Sequence, residues 1–115
     1  SFIIYIETEN TMILVEAENL LFNFSNANVI EYKDGEIIVH YNNSTVLRIP
    51  GFESIDTSEF DEYFFVCEAE DRKVFLNKFQ LLYLEKLEDN QIKFYFYENF
   101  SYQIQADYDK MISQD

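Results

Sequence analysis

The chain has 115 residues and carries 22 acidic against 8 basic side chains, a formal net charge of −14. That excess argues against DNA, RNA and anionic membranes as partners, because phosphate surfaces are gripped by Lys and Arg. With 48% hydrophobic residues, including 12 Phe and 9 Tyr, the chain also falls outside the disordered acidic class, which lacks enough apolar surface to form a core.

Alternation of apolar and polar residues dominates from the first residues onward, so strands are expected. Residues 2–7 set Phe2, Ile4 and Ile6 against Ile3, Tyr5 and Glu7, and residues 11–16 and 20–24 continue in the same manner. Ser25-Asn26-Ala27-Asn28 has turn composition and leads into a strand from Val29 to Tyr32. Lys33-Asp34-Gly35 followed by Glu36–Tyr41 is the cleanest local signal: Asp-Gly between two β-rich runs supplies the positive φ of a hairpin. Asn42-Asn43 offers a second tight turn into Thr45–Ile49, which Pro50-Gly51 ends. Phe52 to Glu62 is an acidic connector in which Asp56-Thr57-Ser58-Glu59 can cap a short helix over 60–62.

Tyr63–Cys67 reads as a strand, Glu68–Arg72 as a charged turn and Lys73–Leu76 as the returning strand. A strand is expected over Leu81–Leu84, with two turns of helix over 79–87 as the alternative. Gln91–Glu98 alternates strongly, Phe100–Gln105 is the last strand, and Ala106–Ser113 is a closing helix with Tyr108, Met111 and Ile112 on its apolar side. The expected fold is all-β, or β-dominated α+β. It has about nine or ten short antiparallel strands in packed sheets, with one or two short helices including the C-terminal one. Residues 1–115 are expected to form one domain. Ser1 in place of Met is consistent with a processed chain or a domain cut from a longer one.

Cys67 is alone, so no internal disulfide can form, and a reducing cytoplasm is the expected compartment. No apolar run approaches the ~18 residues of a membrane span, and no signal-peptide pattern opens the chain. The glycosylation triplets at Asn23, Asn42, Asn43 and Asn99 are short motifs in an Asn-rich chain and carry no weight alone.

No catalytic constellation stands out. His40, the single histidine, lies between Val39 and Tyr41 and has no second His to share a metal, so it is expected to be a satisfied or solvent-facing strand residue. Cys67 is followed by Glu68, Glu70 and Asp71, which oppose a reactive thiolate, so a buried structural cysteine is expected. Carboxylate pairs occur throughout, and none is singled out as an acid/base pair. No calcium loop and no glycine-rich phosphate loop occurs, so no cofactor, no metal and no enzymatic activity is expected. Tyr95, Tyr97 and Tyr102 form an aromatic group on the last strands that could stack bases, but only Lys93 lies close enough to track phosphates; a two-sided β core accounts for them most simply, and a protein-binding patch is the residual alternative.

Residues 65–79, Phe-Val-Cys-Glu-Ala-Glu-Asp-Arg-Lys-Val-Phe-Leu-Asn-Lys-Phe, resemble without a gap a pattern of the LytTR family, the β-rich DNA-binding output domain of bacterial response regulators. Ile92–Ile104 with Ala106-Asp107-Tyr108 is similar to that family's closing strands and helix start, and Met12–Leu21 to its first segment. The resemblance implies a β-rich regulatory fold. Where the family carries a basic His-Arg-Ser cluster, however, this chain has Ala69-Glu70-Asp71, with Cys67 at the preceding Arg and Phe75 at the Asn. Charge reversal at phosphate contacts turns attraction into repulsion.

The function expected is therefore a non-enzymatic regulatory or interaction domain, a diverged LytTR-like one on that resemblance, whose acidic surface meets a basic protein. Glu68, Glu70, Asp71, Tyr95 and Tyr97 are the expected partner-binding residues. One alternative is an acidic inhibitor, either an immunity protein or a nucleic-acid mimic. Another is DNA binding through a local basic patch containing Arg72 and Lys73. The oligomeric state is left open.

Overall fold

A computed structural model describes residues 2–7, 12–17, 19–50 and 62–113. The connector and short helix expected before residue 62 lie outside the described residues. The fold is β-dominated and antiparallel throughout, as expected. Its strands are β1 (Phe2–Glu7), β2 (Met12–Ala17), β3 (Leu20–Asn23), β4 (Val29–Lys33), β5 (Glu36–His40), β6 (Val46–Ile49), β7 (Phe64–Glu68), β8 (Lys73–Asn77), β9 (Leu81–Lys86), β10 (Gln91–Phe96) and β11 (Ser101–Gln105), and one helix, α1 (Tyr108–Ile112), follows. They form three sheets, ordered β1-β2-β3, β6-β5-β4-β8-β7 and β11-β10-β9.

The five-stranded sheet is central because its inner strands are apolar on both faces. Along β8, Phe75 enters one core cluster while Val74 and Leu76 enter the other, and along β4 Ile30 and Val29 divide in the same way. Two-sided burial explains why these strands read as continuous apolar runs rather than clean alternation. The first cluster joins Ile30, Val39, Ile49, Phe64 and Phe75 to Phe22 and Phe24 at the end of the β1–β3 sheet. The second joins Val29, Cys67, Val74 and Leu76 to Ile92, Phe94, Phe96 and Ile104 of the smaller sheet and to Met111 of α1. Truncating a ring such as Phe75, which is fully buried, costs about 3–5 kcal/mol.

Local chemistry sets the corners. Asp34 and Gly35 both have positive φ, 52° and 74°, and close the β4–β5 hairpin on the pair Lys33–Glu36. The Asn42 carboxamide oxygen accepts from the Ser44 and Thr45 amides at 2.9 and 2.8 Å, so a side chain shapes the β5–β6 connection. Asn77, buried at the end of β8, donates to the Ser25 and Ala27 carbonyls at 2.9 and 2.7 Å and accepts from the Phe79 amide. Residues 81–86 are strand, not helix.

Three expectations change. β3 stops at Asn23, whose side chain accepts from the Ser25 amide and starts a 3-10 turn at Phe24. β10 stops at Phe96, because Glu98 and Asn99 adopt left-handed backbone (φ 61° and 60°) in the turn to β11. Ile112 is 40% exposed, because in so short a helix only Met111 and, in part, Tyr108 reach the core.

Candidate functional site

The second-cluster face of the central sheet is apolar only across β8, β7 and the Val29 end of β4, where the smaller sheet and α1 cover it. Toward β5 and β6 the same face carries Glu31, Glu36, Ile38, His40 and Arg48. The hairpin register makes this so: Glu31 pairs with Ile38 and Val29 with His40, which places Glu31 and His40 diagonally on one face.

Glu31 stands at the border between the covered and open halves, and its side chain is 13% exposed. Its Oε1 lies 2.5 Å from His40 Nε2, and its Oε2 accepts from Tyr102 Oη at 2.5 Å and pairs with Arg72 Nε at 2.9 Å. Arg72 Nε also donates to Tyr102 Oη at 3.0 Å, and its Nη1 pairs with Asp71 at 2.9 Å. Lys33 extends the chain to the other Asp71 oxygen at 3.3 Å. One carboxylate thus ties β4 and β5 of the central sheet to the β7–β8 turn and to β11 of the smaller sheet.

Burial alone raises the Glu31 carboxyl, but hydrogen bonds from His40 and Tyr102, with the charges of His40 and Arg72, outweigh it and hold the group at about 2. Burial and the hydrogen bond to Glu31 push the Tyr102 phenol upward. Hydrogen bonds from Arg72 and Lys33 lower Asp71. A carboxylate so strongly stabilised in its charged form is a poor general base, and a phenol shifted upward is a poor nucleophile. Burial pushes the Cys67 thiol to about 11, so it is not a thiolate at neutral pH. Here burial, rather than the neighbouring carboxylates, is the cause. Among the described residues no group of three His, Cys, Asp or Glu side chains converges in a metal-ligating arrangement.

Arg72 separates two open depressions. One, of about 600 Å³, runs over the β4–β6 face and is lined by Glu31, Lys33, Glu36, Ile38, Arg48 and Arg72 among others. The other, of about 550 Å³, has Glu68, Glu70 and Asp71 on its rim with Ile104 and Gln105. The three acidic residues expected to bind a partner therefore border one concavity. Their charge is largely met at home: Glu68 pairs with Lys73 at 3.2 Å and Asp71 with Arg72 and Lys33, leaving Glu70 without an ion pair among the described residues.

Arg72 and Lys73, the candidate DNA contacts, are both in ion pairs, with side chains 25% and 26% exposed. Tyr95 and Tyr97 lie elsewhere. Tyr95 is on the outer face of β10, stacked on Tyr83 at 4.5 Å between ring centres, and Tyr97 is in the 3-10 turn after β10. Tyr102 is not on that outer face, because its pairing with Phe94 turns it inward toward Glu31. Glu31 itself drew no notice in the sequence. The signal was present: once Asp34-Gly35 closes the hairpin, Glu31 and His40 must share a face.

The chain matches no family model, and no curated protein or solved structure is significantly similar to it.

Proposed function

We propose that this chain is a non-enzymatic interaction domain that captures a basic protein partner through its acidic surface. The observation that carries the reading is how the cations are used. Lys33, Arg48, Arg72 and Lys73 are held in ion pairs. Lys78, Lys86 and Lys93 lie over the rings of Phe65, Tyr108 and Tyr95. Asp34, Glu70, Glu88, Asp89, Glu98 and Asp109 are exposed and carry no ion pair among the described residues. The outward field is therefore negative, which speeds encounter with a cationic surface and disfavours phosphate. The resemblance at 65–79 supplies the form of the reading, a diverged LytTR-like regulatory domain that has exchanged its DNA contacts for protein contacts. A cytoplasmic setting goes with it.

The test is affinity capture from an extract of the native source on the immobilised full chain, eluted with rising salt. A basic protein released as salt screens the field is the expected result; capture of acidic or neutral proteins only, or retention indifferent to salt, overturns it. In parallel, anisotropy with a labelled duplex at physiological salt is expected to show no binding, and submicromolar binding would reinstate DNA as the ligand.

A further inference from the structure

Exposed apolar side chains stand together at the Leu81–Phe96 end of the β9–β10 pair. Leu82 is 50% exposed, Tyr83 58% and Tyr97 55%, and Tyr95 stacks on Tyr83 directly across the ladder. A register shift between Tyr95 and Phe96 frees Leu82 from the regular pairing. β9 is also the outermost strand of its sheet. The Leu87 amide donates to the Gln91 carbonyl, and alternation from that point turns the amide and carbonyl groups of Leu84 and Lys86 away from β10. Among the described residues nothing pairs with them.

An open edge beside exposed rings invites strand addition, unless polar residues blunt it. The opposite edge of the same sheet is blunted by exposed Ser101, Gln103 and Gln105. On β9 the charged Glu85 and Lys86 at one end and the irregularity at Leu82 at the other limit the free edge, so it suits a short segment rather than another sheet.

Charge selects the occupant. A second copy of this chain would bring −14 against −14, which opposes self-pairing. Carboxylates stand at both ends of the strand: Glu88 and Asp89 follow β9, and Glu98 adjoins Tyr97, while Glu85 lies between on the face. Glu88, Asp89 and Glu98 carry no ion pair among the described residues. We propose that the outer edge of β9 takes up, by strand addition, a short extended segment of the partner in which apolar side chains alternate with Lys or Arg. The apolar side chains would cover Leu82, Tyr83 and Tyr97, and the cations would meet the flanking carboxylates. This rests on the basic-partner reading and adds the place and the form of the bound segment.

The test uses display of random peptides of about ten residues, the upper end of strand lengths, selected on the full-length chain. The expected peptides are proline-poor, alternate apolar with cationic residues, and slow amide exchange at Leu84 and Lys86. Lys86→Pro removes an outward amide without breaking the ladder to β10, and is expected to weaken these peptides by about tenfold or more. Should that variant fold poorly, Tyr83→Lys, which places a charge on the same edge, is expected to act in the same direction.

Cationic peptides that bind both variants as well as the parent would overturn the β9 site and leave the basic-partner reading standing. Peptides without excess cation would overturn that reading and the proposed occupant together. Failure to enrich any peptide would overturn the β9 site, as would a dimer of the chain alone that Lys86→Pro abolishes.

Discussion

Glu31 and Tyr83 both sit inside strands, yet their surroundings are opposite. The Glu31 carboxylate is 13% exposed and is met by His40, Arg72 and Tyr102 from three separate elements. Tyr83 is 58% exposed and meets one other ring, Tyr95. Judged by residue type alone, the charged region invites a partner and the aromatic strand belongs to the core. In the folded chain the charges around Glu31 satisfy one another, while the aromatic corner is left open. A charge becomes available to a partner only when the fold does not use it. An apolar side chain becomes available when the fold cannot cover it.

The largest effect that would break this contrast is expected at Glu31. Glu31→Ala strands Arg72 and His40 near a sheet–sheet border, and is expected to cost about 3–5 kcal/mol in urea unfolding, the usual range for one partner of a largely buried pair. A cost below that of an ordinary surface substitution would mean the network is solvent-screened and free to bind.

Acid is the second probe. The folded Glu31 carboxyl is depressed from 4.5 to about 2, so the unfolded chain binds its proton first. The resulting stability is complete above about pH 4.5 and is lost as pH falls toward about 2, an effect of about 3 kcal/mol. Urea midpoints across this window are expected to fall more steeply for the parent than for Glu31→Gln; equal slopes would contradict the assignment. Smaller still, Tyr83→Ala is expected to cost about 1 kcal/mol, the worth of one aromatic pair, while removing peptide binding at β9. Smallest is Glu68→Gln, whose exposed pair with Lys73 is worth about 0–1 kcal/mol and is expected to leave thermal unfolding almost unchanged.

The legible parts of this fold were those governed by local chemistry. Asp34-Gly35 announced its hairpin because few residues tolerate positive φ. The alternation of Ile92, Phe94 and Phe96 predicted their burial, and all three are buried. The turn at Glu98-Asn99 left no such mark, since it uses left-handed backbone without a glycine, and β10 was expected to run two residues too far. That turn also sets the phase of β11, so Tyr102 pairs with Phe94 and faces inward while Tyr95 stays on the outer face. The candidate site was legible as composition and not as arrangement. Glu68, Glu70 and Asp71 do rim one depression, but the pairing of Asp71 with Lys33 and of Arg72 with Glu31 depends on β4 lying beside β8, a non-local contact. Glu31 carries no mark of its own in the sequence, because a lone acid in a strand has the pattern of a solvent-facing residue and only its register with His40 sets it apart.

Native-state amide exchange on the full chain reads both regions in one experiment. Strand β4 is paired on both sides, so the Ile30 and Glu31 amides are expected to exchange only by global unfolding, while the outward amides of Leu84 and Lys86 exchange orders of magnitude faster. Protection of Leu84 and Lys86 equal to that of β4 in the free protein would contradict the account, because the edge offered to a partner would already be closed.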